Sequence, residues 1–97
     1  MKFNISSNDL CAAGGKGLAE ALSGNEIMTE LNIASNHLGK KTWCGDADMS
    51  GVVAISDAIP TMGALTSLNL ASNLIAAEGA KHVAEAIKGH VSALLFD

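Results

Sequence analysis

The sequence predicts an α/β fold, a solenoid of about three strand-loop-helix units followed by a terminal strand. Two internal repeats predict it. A string of the form apolar-Asn-apolar-small-Ser-Asn occurs three times, beginning at Phe3, Leu31 and Leu68. A second block, which begins with Gly and carries Leu, Val or Ile four residues apart, follows each string at 14–22, 51–59 and 79–87. Self-similarity at a period of about 20 to 50 residues is the signature of stacked repeats.

Each string is predicted to form one strand of a sheet. Side chains alternate between the two faces of a strand, so Leu68 and Leu70 lie on one face and Asn69 on the other. We expect the equivalent apolar residues of all the units to form the core. The opposite face is then expected to expose one column of residues across the sheet, namely Asn4, Asn32, Asn69 and Leu95.

The second Asn of each string lies where the predicted strand ends. The chain turns there and leaves backbone N–H and C=O groups without strand partners. A carboxamide side chain can donate to and accept from such groups at the same time. We therefore predict that Asn8, Asn36 and Asn73 are structural and bind the backbone of the neighbouring unit.

The second blocks have the periodicity of amphipathic helices. Apolar residues four apart fall on one face of a helix with 3.6 residues per turn. Residues that end helices follow the three blocks, as Gly24, Pro60 and Gly89. Each unit is therefore predicted to contain one helix.

The middle unit is longer than the other two. Six positions separate the second Asn from the first Gly of the block in the outer units, but fifteen do so in the middle unit. A nine-residue insertion therefore lies within 39–50, and the single domain divides into repeats at 1–27, 28–64 and 65–90 with a partial repeat at 91–97. The insertion contains Trp43, an amphipathic residue suited to a protein contact. The alternative is that Trp43 folds back and caps the helix layer.

These units resemble leucine-rich repeats. The pattern Leu-x-x-Leu-x-Leu-x-x-Asn-x-Leu appears as Leu65, Leu68, Leu70, Asn73 and Ile75 in the third unit and as Met28, Leu31, Ile33, Asn36 and Leu38 in the second. One helix per unit resembles the ribonuclease-inhibitor-like class of that family. The resemblance implies a curved stack with a parallel sheet on its concave face, helices on its convex face, and protein binding as its role. We therefore expect a non-enzymatic scaffold that binds an unknown protein through Asn4, Asn32 and Asn69 and through Trp43 of the 39–50 loop.

A calcium-binding regulatory module is a second hypothesis. Residues 46–57 resemble an EF-hand loop, with oxygen ligands available from Asp46, Asp48, Ser50 and Asp57 and with Gly51 at the turn position. Asp57, however, is shorter than the Glu that normally ends such a loop. The repeat pattern also predicts that Val52 and the residues after it are helical.

Composition disfavours several other functions. The formal charge is −4 and the six Lys and Arg residues are scattered, which lacks the basic surface that nucleic acid requires. The sequence has no secretion signal at its start and no apolar run near the ~18 residues of a membrane span, which predicts an intracellular, cytoplasmic protein. The His and Cys residues are not spaced as metal ligands or catalytic pairs, so we expect no enzyme activity, no cofactor and free thiols.

Self-association is a third hypothesis. Residues 91–97 are predicted to form an apolar edge strand without Lys or Pro to block pairing. Such an edge favours a homo-oligomer in which Leu94, Leu95 and Phe96 meet another copy of the chain. The alternative is that the chain is a fragment of a longer array, so that further repeats cover these residues in the full protein.

Overall fold

The computed structural model describes residues 1–42 and 45–87, together with 93–96 as strand backbone. Strands and helices alternate along the chain. In order they are β1 (Lys2–Asn4), α1 (Cys11–Leu22), β2 (Glu30–Asn32), α2 (Ser50–Ala58), a 3-10 helix (Ile59–Thr61), β3 (Ser67–Leu70), α3 (Ala77–Ile87) and β4 (Ala93–Phe96). The predicted α/β composition is confirmed.

The strands form one parallel sheet in the order β1-β2-β3-β4. Phe3 pairs with Leu31, Leu31 with Leu68, and Leu68 with Leu94. These are the alignments that the sequence repeat predicted, including the longer step across the middle unit. Each crossover between neighbouring strands contains one α-helix, which is the usual connection between parallel strands.

The core lies between the sheet and the helices. The sheet contributes Leu31, Leu68 and Leu70, and the helices contribute Val52, Ile55 and Val83, each of them at most 3% exposed. These side chains belong to one contiguous apolar cluster. Because the core uses one face of the sheet, the other face is left for polar residues.

Helices α1 and α2 approach each other very closely. A Cβ atom added to Gly51 would lie 2.7 Å from the carbonyl oxygen of Ala12, and real Cβ atoms do not come that near to backbone. Glycine at this position therefore permits the contact between the two helices.

The helices begin earlier than the sequence predicted. Helix α1 starts at Cys11 and not at Gly14, and the other two helices start one and two residues before the predicted Gly. The N–H groups of Cys11 and Ala12 donate to carbonyl oxygens of the next unit, those of Asn36 and Lys40, at 2.8 Å each. These long-range bonds satisfy N–H groups that a helix start leaves unpaired, and no local pattern encodes them.

The helices α1 and α2 end close to the residues that were predicted to end them. Helix α1 ends two residues before Gly24, which has a φ of 81°. Helix α2 ends two residues before Pro60, which lies in the 3-10 helix. Gly89 lies outside the described residues.

An asparagine ladder, formed by Asn8, Asn36 and Asn73, joins the units where the strands end. The Asn8 N–H donates to Asn36 Oδ1, and the Asn36 N–H donates to Asn73 Oδ1, both at 2.8 Å. In the opposite direction Asn36 Nδ2 donates to the Ile5 carbonyl at 3.0 Å, and Asn73 Nδ2 donates to the Ile33 carbonyl at 2.9 Å. Asn36 and Asn73 are 0% exposed. The predicted bonds to the backbone of a neighbouring unit are confirmed for Asn36 and Asn73, whereas the Asn8 side chain donates to Ile5 and Ser6 of its own unit.

The residues on both sides of each ladder Asn have left-handed backbone conformations. Their φ values lie between 50° and 59° for Ser7, Asp9, Ser35, His37, Ser72 and Leu74. None is glycine, so each carries a conformational cost of roughly 1 kcal/mol. The sequence did not predict this feature, because glycine is the usual signal for it.

Candidate protein-binding face

The outer face of the sheet, opposite the core, carries the residues predicted to bind protein. Asn4 pairs with Asn32 and Asn32 pairs with Asn69 in the sheet register. The structure thus brings these three residues together as one line across the strands, called here the outer-face column. Leu95 is in register with Asn69, as predicted, but its side chain lies outside the described residues.

One backbone hydrogen bond fixes the orientation of each amide in the outer-face column. Every Oδ1 accepts from the backbone N–H two residues further along the chain. The donors for Asn4, Asn32 and Asn69 are Ser6, Ala34 and Ala71, at 2.9, 3.0 and 3.0 Å. Since a backbone N–H needs an acceptor, the oxygen must face it and the nitrogen must be on the other side. Within residues 1–42 and 45–87, none of the three Nδ2 groups donates to another residue.

A second line of residues lies two positions earlier in each strand. Lys2 pairs with Glu30 and Glu30 with Ser67 in the register. The Lys2 ammonium and the Glu30 carboxylate form an ion pair at 3.3 Å, with side chains that are 77% and 47% exposed. An exposed pair of this kind contributes at most about 1 kcal/mol, so both charges remain available to a partner. The sequence predictions missed these residues, although the alternation along the strands placed them on the same face.

The two lines enclose a shallow open depression of about 320 Å³ on the sheet. Its lining is formed by Lys2, Phe3, Asn4, Glu30, Leu31, Asn32, Ser67 and Asn69. The polar part of that lining supplies amide donors, one hydroxyl and one paired cation and carboxylate. It contains no thiol and no imidazole, so the chemistry that it offers is hydrogen bonding.

The insertion in the middle unit is folded at its base. Lys40 and Ala47 form an antiparallel bridge, and the Lys41 N–H donates to the Asp46 carbonyl at 2.9 Å. The carbonyl of Lys40 also accepts from Ala12, which ties the insertion to the start of α1. Trp43 lies outside the described residues, so its predicted protein contact remains a prediction.

The calcium hypothesis does not agree with the geometry of 46–57. Residues 50–58 form α2, so the second half of the resembling segment is a helix where an EF-hand has a loop. One Asp48 carboxylate oxygen accepts the Ser50 N–H at 2.9 Å and is thereby used at the helix start. Among the described residues, which include Asp46, Asp48 and Asp57, no three His, Cys, Asp or Glu side chains come together to hold a metal ion.

Comparison with known proteins supports the resemblance to leucine-rich repeats. Residues 65–84, which contain β3 and the first part of α3, match the model of the Leucine Rich repeat family. The motif suggests a module for protein interaction. No curated protein matches the chain. None of the helices in the described part of the chain is long and apolar enough to cross a membrane.

Proposed function

We propose that this chain is a non-enzymatic scaffold that binds another protein through the outer face of its sheet and the 39–50 loop. The leucine-rich repeat match at 65–84 is the observation that carries the proposal. We place the chain in the ribonuclease-inhibitor-like class, as a short solenoid whose outer sheet face is concave. One helix after each of the strands β1, β2 and β3 supports that class.

The properties of the outer face support a recognition role. Its polar groups are arranged in two lines by the sheet register, so their spacing is fixed before a partner arrives. Preorganised groups bind with a smaller loss of conformational entropy. The one aromatic residue that lines its depression, Phe3, packs against the core, so the face's own affinity is modest and the loop adds to it.

Site-specific photo-crosslinking tests the proposal. A photoreactive amino acid at Ser67, inside the depression, is compared with one at Glu20, which is exposed on α1. The full chain is expressed in its native cells, irradiated and analysed by mass spectrometry. We expect defined adducts with another protein from position 67 and not from position 20. Adducts of equal yield from both positions, or none from position 67, would contradict binding through this face.

A further inference from the structure

We infer that the outer-face column binds a helix of the partner protein, and that this helix presents Glu or another hydrogen-bond acceptor once per turn. The inference rests on the proposed function and specifies the chemistry of the partner. It derives from three features of the column: the direction of its amides, the spacing of its members and the size of the residues beside it.

The direction of the amides makes the column a row of donors. Each Oδ1 is occupied by a backbone N–H at 2.9 to 3.0 Å, whereas each Nδ2 keeps its protons for a partner. A partner must therefore supply acceptors. Carboxylates give the strongest bonds to such donors, because a hydrogen bond with one ionised member is roughly twice as strong as a neutral one.

The spacing of the column fits a helix better than an extended chain. Neighbouring strands lie about 4.8 Å apart, so Asn4 and Asn69 at the two ends of the column are separated by about 10 Å. On a helix, residues i and i+7 are about 10.5 Å apart along the axis, with i+3 or i+4 between them. In an extended chain, three successive residues on one face are i, i+2 and i+4. The first and the last are about 13 Å apart, which is longer than the column. A helix that lies across the strands therefore meets all three amides at once.

The residues beside the column leave room for a helix. Ser67 precedes Asn69 by two positions, and Ala34 and Ala71 follow the second and third members of the column by two positions. These small side chains allow a helix of about 10 Å diameter to approach the sheet. Lys2, at the β1 end, adds one cation for an acidic residue of the partner, although Glu30 already pairs with it.

Nuclear magnetic resonance observes the proposed contact directly, because the side-chain NH₂ groups of Asn give their own signals in ¹⁵N-labelled protein. The probe is a stapled helical peptide of about 18 residues with Glu at positions i, i+4 and i+7. We expect saturable shifts of the column amides, with Asn25 unchanged as an internal control. The absence of shifts in the column amides would overturn the inference. So would equal shifts with an unstapled control peptide that has the same Glu residues and a proline to prevent helix formation.

A nearly isosteric variant provides the second test. Asn32→Asp with Asn69→Asp keeps an oxygen for the backbone N–H groups and replaces two donors by acceptors. We expect binding of the Glu peptide to weaken by about tenfold or more, the equivalent of one strong hydrogen bond. A peptide with Lys in place of the Glu residues should bind this variant more tightly than it binds the wild type. Unchanged preference between the two peptides would also overturn the inference.

The matched control is Asn25→Asp. Asn25 Oδ1 also accepts backbone N–H groups, from Ile27 and Met28, but outside the depression. The control adds one negative charge, where the double variant adds two, without changing the donor row, and we expect it to leave both peptides unaffected. If the Glu peptide does not bind the column while position 67 still gives specific crosslinks, the scaffold proposal is supported and the inference of a helical partner is wrong.

Discussion

At the scale of single residues, the buried ladder amides allow a direct test of how the units are held together. Replacing Asn36 with Ala leaves the N–H of Asn8 without its side-chain acceptor and removes one of the two side-chain donors to each of the Ile5 and Ile33 carbonyls. We expect Asn36→Ala to lower the free energy of unfolding by about 1 to 3 kcal/mol, measured by urea denaturation.

The neighbouring His37 is the matched control for that substitution. Its Nδ1 lies 2.9 Å from an Asp9 carboxylate oxygen, but the two atoms are not aligned as a hydrogen bond. Asp9 is exposed, so we expect His37→Ala to change the unfolding free energy by no more than about 0.5 kcal/mol. Equal denaturation midpoints for the two variants would contradict a stabilising role for the ladder.

Among the residues beside the ladder that have left-handed backbone, Leu74 is of the type least suited to that conformation. Its φ is 57° and its side chain is 50% exposed, so the fold and not the side chain imposes this conformation. Gly39 packs against its carbonyl oxygen so closely that no Cβ atom fits between them. Asn adopts left-handed conformations more readily than Leu.

We therefore expect Leu74→Asn to raise the free energy of unfolding by about 0.5 to 1 kcal/mol in urea denaturation. Ile27→Asn is the control, since Ile27 is also an exposed apolar residue, at 69%, but has no left-handed backbone. A similar gain for both variants would show that loss of exposed apolar surface, and not relief of strain, is the cause.

Asp48 links stability to pH at the start of α2. Contacts from the Ser50 hydroxyl, and then from the Ser50 backbone N–H, hold the pKa of its carboxyl below the ordinary value. The hydroxyl does not have hydrogen-bond geometry, whereas the N–H bond measures 2.9 Å, so the N–H bond is the contact with a defined structural basis. A pKa lower in the folded than in the unfolded protein stabilises the fold above the unfolded value. That contribution disappears as pH falls through the folded value.

We expect Asp48→Asn, which keeps a capping oxygen but removes the charge, to be less stable than wild type at neutral pH. The difference should vanish in acid, where the wild-type carboxyl is also neutral. Thermal unfolding from neutral to acid pH measures it. Asp46→Asn makes the same charge change at a carboxylate that does not accept the Ser50 N–H, so a difference of equal size there would count against the Asp48 contact.

At the scale of elements, the insertion changes how the middle helix begins. In the first unit the N–H of Ala12, at the start of α1, binds the carbonyl of Lys40 in the next unit. In the middle unit the insertion separates the ladder from α2, and a carboxylate oxygen of Asp48, in the same segment, accepts the N–H of Ser50, the first helical residue. The N–H group at the start of α2 therefore finds its acceptor within its own segment, because the insertion places this helix further from the ladder.

The tip of the insertion is the part whose removal tests its role. Lys41 and Asp46 are joined by a backbone hydrogen bond, so Asn-Gly in place of 42–45 closes the same hairpin with a two-residue turn. We expect the shortened protein to keep a cooperative transition, with a melting temperature within a few degrees of wild type, since surface loops tolerate changes in length. The control is Trp43→Ser at full length. Loss of cooperativity in both proteins would show that Trp43 completes the core.

At the scale of the whole molecule, the two outer strands of the sheet carry the prediction of self-association. Strands β1 and β4 each pair with one neighbour among the described strands. All strands are parallel, so a sheet that continues from β4 of one copy to β1 of the next joins the copies head to tail. Contacts of that kind form a ring if the rotation between copies closes and an open filament if it does not.

We expect the 97-residue chain to be dimeric or larger at micromolar concentration in sedimentation equilibrium. Leu95→Lys with Phe96→Lys should shift it towards monomer, because charged residues on an edge strand oppose pairing. A well-behaved monomer across the concentration range would refute the prediction. Asn4 and Asn32 are unchanged in this variant, so peptide binding by the outer-face column can be measured on it independently.

Much of this architecture could be predicted because it repeats. The spacing from Phe3 to Leu31 to Leu68 fixed the sheet register, and alternation along the strands separated the core from the outer face. The helix starts and the left-handed residues could not be predicted in the same way. A contact from another unit fixes the start of α1, where the Asn36 carbonyl accepts from Cys11, and no glycine marked the left-handed residues beside the ladder.

The backbone bonds beside the ladder are the same on both sides of the insertion. Cys11 donates to the Asn36 carbonyl, and Gly39, the equivalent residue one unit later, donates to the Asn73 carbonyl. The contact between units is therefore insensitive to the length of chain between the ladder and the following helix. In the middle unit that segment is a natural grafting position, where a foreign binding sequence can replace the insertion while the bond between Gly39 and Asn73 stays in place.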